Sequence, residues 1–192
     1  MKIYLIRHGE TTGDVEDRFG GDYDDDLTKK GEKQSRELAK KLQKKGTQII
    51  FSSPLKRAQQ TAKILSKALQ VNIQTVKEIK ERNRCGILTG MIRSQAKEKY
   101  PEAFEKVQEF KNTIEGAEDY KKFVNRITKA FEKLLKENFQ TIAVVTHGGP
   151  LSIIFEHILK VKWGRAEDCG YAVLEYMDGR LIIKDVDGIK LN

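Results

Sequence analysis

The chain has 192 residues and a formal net charge of +8, a length that suits one domain with a real core and no need of disulfide staples. Hydrophobic residues make up 39% and charged residues 33%, the balance of a globular protein, and no apolar run approaches the roughly 18 residues of a membrane span. The basic excess sits largely in lysines such as Lys40, Lys41, Lys44 and Lys45; without zinc-finger spacing, an RNP-like aromatic run or a basic tail, it argues against nucleic acid as the main partner and suits a small anionic substrate.

The first predicted element is a buried strand over 2–7, and it delivers Arg7-His8-Gly9 at its end. One lysine and four apolar residues before Arg7 are too short for a secretory leader. Cys85 and Cys169 form no CxxC pair and read as free thiols, so a reducing, cytoplasmic setting is expected. Residues 8–27 read as a polar loop. Thr28 is predicted to open a helix with Gly31, Ser35, Leu38, Ala39 and Leu42 on one face, closing at Gly46. A second strand is expected over 47–53. Ser53-Pro54 then reads as N-cap and first-turn proline of a helix whose stripe is Leu55, Ala58, Ala62, Leu65 and Leu69. A third strand is expected over 71–76.

Residues 78–92 look irregular. Short polar helices broken at Pro101 are expected over 93–111, as a small helical cap at about 90–115 within a single domain spanning 1–192. A long helix is predicted over 119–138, with Tyr120, Phe123, Ile127, Phe131 and Leu134 on one side. The apolar run from Thr141 forms a strand ending at Thr146-His147-Gly148-Gly149, and a helix follows to about Lys160. The C-terminal stretch reads as a hairpin turning at Asp178-Gly179. Strands alternating with helices argue for a three-layer α/β/α sandwich, its central sheet mainly parallel with an antiparallel edge strand.

In such folds ligands bind beyond the carboxyl ends of the strands. Arg7-His8-Gly9, Ser52 to Arg57, and Thr146 to Gly149 all fall at those ends. Arg57 and Lys56 occupy the first turn of a helix, where cations are disfavoured by roughly 0.3–1 kcal/mol. A bound phosphate reverses that argument. Arg7, His8, Arg57 and His147 are therefore expected to form one cationic pocket for a phosphoryl group, with Gly9, Gly148 and Gly149 allowing close backbone approach. A neutral imidazole there can attack phosphorus and split the reaction in two. The cations neutralise the equatorial oxygens. An acid must then protonate the leaving alkoxide.

RHGET at 7–11, SSPLKRAQQTA at 52–62 and VVTHGGP at 144–150 together resemble the histidine phosphatase superfamily, which includes phosphoglycerate mutases and many small phosphatases. The resemblance implies a phosphoglycerate mutase-like fold, His8 as nucleophile, and Arg7, Arg57, His147 and Gly148 around the phosphate. It implies no metal or cofactor, and two histidines without a third ligand make a poor metal site. His157, mid-helix and without a motif, reads as structural or surface. A homodimer is common among similar proteins, but no interface is legible.

The family's acid precedes a glycine in a segment resembling E-x-x-x-G-x-x-x-G. Gly86 and Gly90 match, and a one-residue insertion assigns the acid to Glu81 rather than Arg82, with Glu78 as fallback. Asp14 stands where many relatives have asparagine, so it is left facing water or a substrate hydroxyl. Asp22 replaces the tryptophan of a mutase-like R-F-x-G-W stretch. Gly20 and Gly21 still suit a backbone contact to substrate. Asp22, Asp24, Asp25 and Asp26 lack a metal-loop pattern and read as a solvated turn. Arg82, Arg84 and Arg93 are candidates for a second anionic group of the substrate. The expected function is hydrolysis of a small phosphorylated metabolite. Phosphoglycerate mutation is the runner-up, and a non-catalytic phosphate-binding scaffold is the alternative of another class.

Overall fold

The computed structural model describes residues 1–192. Strand β1 (Lys2–Arg7) is buried from Ile3 to Ile6, as an apolar run covered on both faces should be. It pairs in parallel with β4 (Thr141–Thr146), with Ile3 opposite Ile142 and Arg7 opposite Thr146. Its other edge pairs antiparallel with β5 (Trp163–Met177). Strands β2 (Ile49–Ser52) and β3 (Asn72–Thr75) extend the parallel side, and β6 (Arg180–Leu191) pairs with β5. The order is β3-β2-β4-β1-β5-β6.

Alternate residues of β1 face opposite layers. Tyr4 and Ile6 pack with Leu38 and Leu42 of α2 (Lys29–Leu42) and with Ala58, Ala62 and Leu65 of α3 (Lys56–Leu69). Ile3 and Leu5 pack with Phe123, Ile127 and Phe131 of α6 (Tyr120–Leu134). Leu151 of α7 (Gly148–Ile153) and Phe155, in the wider turn over Ile154–Ile158, join that second layer. Burying each of the leucines, isoleucines and phenylalanines contributes about 1.5–3 kcal/mol. This is the three-layer arrangement expected from the alternation of elements. No helix is long and apolar enough to cross a membrane.

The cap comprises α4 (Arg93–Lys99) and α5 (Pro101–Val107), with Pro101 in the first turn of the second. It has its own small core of Phe19, Cys85, Leu88, Ala96, Val107 and Ile114. A single-turn helix, α1 (Thr12–Val15), lies in the loop after β1.

Several boundaries differ from expectation. Helix α3 begins at Lys56, and Ser53 is not its cap. The Ser53 hydroxyl instead accepts the Leu55 N–H at 3.3 Å and faces His147. Helix α2 stops at Leu42, before Gly46, because Lys44 and Gly46 take left-handed conformations in the turn that follows. Helix α6 stops at Leu134. The last two strands are longer than the predicted hairpin, with an irregularity in β5 between Ala166 and Tyr171.

Candidate active site

Arg7 and His8 leave the C-terminal end of β1, and His147 leaves that of the adjacent β4. Parallel pairing of the two strands therefore brings the two imidazoles together, with ring centroids 5.0 Å apart. Arg57, in the first turn of α3, reaches between them. Its Nε donates to His8 Nε2 at 3.1 Å and to His147 Nδ1 at 3.2 Å.

Those bonds decide the tautomers. His8 Nε2 accepts from Arg57, so its proton is on Nδ1 and is donated to the Gly9 carbonyl at 2.8 Å. His147 Nδ1 also accepts, so its Nε2 proton goes to Ser53 Oγ at 2.7 Å. Burial pushes the His8 pKa well below its ordinary value, and the Arg57 and Arg7 guanidinium groups push it further. His147 is lowered well below too, by burial first and then by Arg57. Both rings are neutral, as a nitrogen nucleophile requires.

Each member is held by residues beyond the four themselves. Thr61 of α3 accepts the Gly9 N–H at 3.2 Å and bonds the Arg57 carbonyl at 2.9 Å, tying the β1 loop to the helix. Arg7 donates to Ala166 O at 2.7 Å and pairs with Asp168 at 3.2 Å. The Cys169 N–H donates to His8 O at 3.0 Å. The irregular stretch of β5 thus clamps the strand end that carries Arg7 and His8.

Glu81 sits on the loop after β3. That loop is anchored by Thr146 Oγ1 on Ile79 O at 2.7 Å and by Arg126 of α6 on the Glu78 and Lys80 carbonyls. The Glu81 carboxylate accepts the N–H groups of Arg82 at 2.8 Å and Gly149 at 3.0 Å. Burial raises its pKa, and those two hydrogen bonds pull the other way without cancelling it. Glu78 is exposed and offers only its backbone to this arrangement.

A cavity of about 340 Å³ opens over this group. Arg7, Gly20, Gly21, Glu81 and Gly149 line it, with Phe19, Phe110, Cys85, Arg84 and Arg93. His8, Arg57 and His147 are buried next to it rather than lining it. Gly148, the first residue of α7, is half-buried and also outside the lining. Burial pushes the Cys85 thiol up to about 11, so it stays protonated and is no rival nucleophile.

Two residues expected to meet substrate are engaged within the chain instead of lining the cavity. Arg82 is fully buried, with its guanidinium turned into the protein onto the carbonyls of Glu118, Phe110 and Asn112. A buried guanidinium must spend its donors, and these carbonyls take them. Asp14 is exposed, and its carboxylate accepts the N–H and hydroxyl of Thr11 at 3.0 and 2.8 Å in a capping box for α1. It lies outside the cavity. His157 is exposed, with Nε2 3.2 Å from the Tyr120 hydroxyl.

The aspartate run is only partly the solvated turn expected: Asp24 and Asp26 are exposed, but Asp25 is not. Asp25 is buried and pairs with Arg57 at 2.8 Å. Asp24 accepts the Lys56 N–H at 2.7 Å, and Asp26 accepts from Gln60 at 2.8 Å. These acids offset the cations at the start of α3, a compensation that sequence reasoning assigned to substrate alone. The signal available was the unfavourable Lys56-Arg57 placement itself, which called for nearby acids. Nothing local marked Asp168, and Ser53, although inside the motif at 52–62, read only as a helix cap.

A sequence profile of the histidine phosphatase superfamily (branch 1) matches residues 3–187. Phosphoserine phosphatase 1 of Hydrogenobacter thermophilus is 31% identical, over 100% of this chain and 92% of its own. The metal-independent phosphoserine phosphatase of Arabidopsis thaliana is 32% identical, over 95% of this chain and 79% of its own. Among solved structures, YhfR of Bacillus stearothermophilus superposes with a TM-score of 0.88 at 23% identity, covering 98% of this chain and 97% of that one.

Proposed function

The chain belongs to the histidine phosphatase superfamily, and from that premise we propose that it hydrolyses small phosphomonoesters through a phosphohistidine on His8. The enzyme class is phosphoric monoester hydrolase. The observation that carries the reading is a neutral His8, with its Nε2 lone pair turned to Arg57, beside an arginine-lined cavity that holds an acid of raised pKa.

Substrate phosphoryl oxygens take N–H groups from Arg7 and Arg57, and from His147 as its Nε2 proton leaves the Ser53 hydroxyl for the phosphate. Arg57 releases the His8 lone pair as it turns to them. The His8 Nε2–P bond forms as the ester P–O bond breaks, and protonated Glu81 gives its proton to the leaving oxygen. A water then loses its proton to the Glu81 carboxylate and attacks phosphorus. The N–P bond breaks, and inorganic phosphate, neutral His8 and protonated Glu81 result. The phosphate dianion beside Glu81 raises its pKa further.

Rapid quenching with labelled substrate is expected to trap an acid-labile, alkali-stable phosphoenzyme. His8→Ala is expected to abolish it and to cut turnover by roughly four orders of magnitude or more. Retained turnover would remove His8 as the nucleophile. Phosphorus NMR showing 2-phosphoglycerate rather than inorganic phosphate from 3-phosphoglycerate would replace hydrolysis by transfer.

A further inference from the structure

The ladder between β1 and β5 runs from Lys2 opposite Glu175 to Ile6 opposite Tyr171 and ends there. Arg7 and His8 follow directly. The stretch of β5 alongside them, Ala166 to Cys169, also falls in the register shift between β5 and β6. Its polar groups turn to the site. Ala166 O takes one Arg7 N–H, and the Asp168 carboxylate draws the other terminal nitrogen. Cys169, at φ 57°, gives its N–H to His8 O. Left-handed backbone is unfavourable for a residue with a Cβ, and such strain collects at functional sites.

Asp168 is the member of this stretch that the phosphoryl chemistry does not use. It does not line the site cavity. It lines a separate hollow of about 170 Å³ with Gln34, Glu37 and Cys169. Its side chain and that of Arg7 are 22% and 24% exposed, so water screens the pair only in part. Burial raises the Asp168 pKa, and Arg7 is the largest influence drawing it back. Gln34 of α2 favours the charged carboxylate as well, and its Oε1 accepts the Glu10 N–H at 2.9 Å. One side chain of α2 thus supports both the acid and the loop after His8. The other site arginine has its own acid in the same way, Arg57 on Asp25.

We infer that Asp168 is a positioning residue that acts through Arg7, holding its guanidinium so that the remaining N–H groups face the phosphoryl oxygens. A long side chain left to choose among rotamers would meet the phosphate less often, and a preset one loses less freedom on binding. The inference rests on the phosphatase reading.

A double-mutant cycle on p-nitrophenyl phosphate tests it. Asp168→Ala is expected to lower kcat/KM about tenfold to hundredfold, the size of one charged hydrogen bond. Asp168→Asn keeps an oxygen for the Arg7 N–H and is expected to recover most of that loss. In an Arg7→Gln background, Asp168→Ala should cost less than about threefold, because the group it acts through is gone. A purely structural role would give losses that multiply. Should Asp168→Ala fail to fold, Asp168→Ser, polar but too short to reach Arg7, takes its place in the cycle. Wild-type kcat/KM without the carboxylate, no recovery in Asp168→Asn, or multiplying losses would each overturn the assignment. Calorimetric binding of orthovanadate reads the same cycle without turnover. If the wild-type chain hydrolyses no ester, the phosphatase reading falls, and the cycle in vanadate affinity still decides the part of Asp168.

Discussion

Glu81 Oε2 lies 3.0 Å from the backbone nitrogen of Gly149, the second residue of α7. A side chain on Gly149 would run into that carboxylate. The position of the proposed proton donor is therefore fixed by the helix that follows His147, and the site reads as one unit across β1, β4 and the loop after β3.

Glu81→Gln keeps the size of the side chain and removes the proton. Hydrolysis of alkyl esters, whose leaving oxygens need protonation, is expected to slow about 10²- to 10⁴-fold. An aryl ester such as p-nitrophenyl phosphate should slow far less. Steady-state kinetics on both classes decides it, and equal slowing would remove the acid role from Glu81.

Asp25 and Arg57 form a buried pair, with side chains 5% and 6% exposed. Removing one partner of such a pair costs about 3–5 kcal/mol. Asp25→Ala is expected to lower the denaturation midpoint accordingly. Asp25→Asn keeps an oxygen for the Arg57 N–H, so it should be milder in stability while still raising KM. A Asp25→Asn variant with unchanged KM would show that Arg57 needs no anchoring to meet the substrate.

The two site histidines make stability depend on pH in a definite direction. Their native pKa values lie well below the ordinary 6.5, so the folded state binds fewer protons than the unfolded one. Stability then rises with pH up to about 6.5 and is complete above it. Tm should fall as pH drops below about 6.5, and the fall should be shallower in the His8→Asn, His147→Asn double variant. Glu81 acts in the opposite sense, because its pKa is raised from 4.5 and acid favours its native form. A double variant with the wild-type slope would place the acid sensitivity elsewhere.

Arg82 should act on stability alone. Arg82→Leu strands the carbonyls of Glu118, Phe110 and Asn112, each at about 1–3 kcal/mol when buried and unpaired. Thermal unfolding should show a large loss of stability, while the preference among esters in the surviving enzyme stays as in the wild type. A shift in that preference would mean that Arg82 communicates with the cavity through the turn it anchors.

The end of the molecule that holds the candidate site is legible in the sequence because its determinants are local. β1 and β4 are continuous apolar runs, and each hands its motif to the loop just past its last hydrogen bond. The face of α2 is legible for the same reason, since Gly31, Ser35, Leu38, Ala39 and Leu42 recur at helical spacing and are all buried. Asp25 is not legible. Among four aspartates within five residues, the choice of which one to bury is made by Arg57, thirty-two positions away. Arg82 fails in the same way. Its neighbours Glu81 and Arg84 reach the cavity, and only the distant carbonyls of 110–118 draw Arg82 inward. The start of α3 was misplaced because Ser53 has the right chemistry for a cap but bonds the His147 ring.

The place of β1 in the sheet has a consequence for how the chain is made. The first strand of this sequence sits fourth of six, and its two partners lie at 141–146 and 163–177. Neither edge of β1 can be paired until most of the polypeptide has emerged. Contacts this distant in sequence slow folding, and an unpaired apolar strand is prone to association while it waits. The strand that carries the proposed nucleophile is therefore among the last to be secured. Chains that stall before residue 177 are expected to be inactive and aggregation-prone rather than partly active.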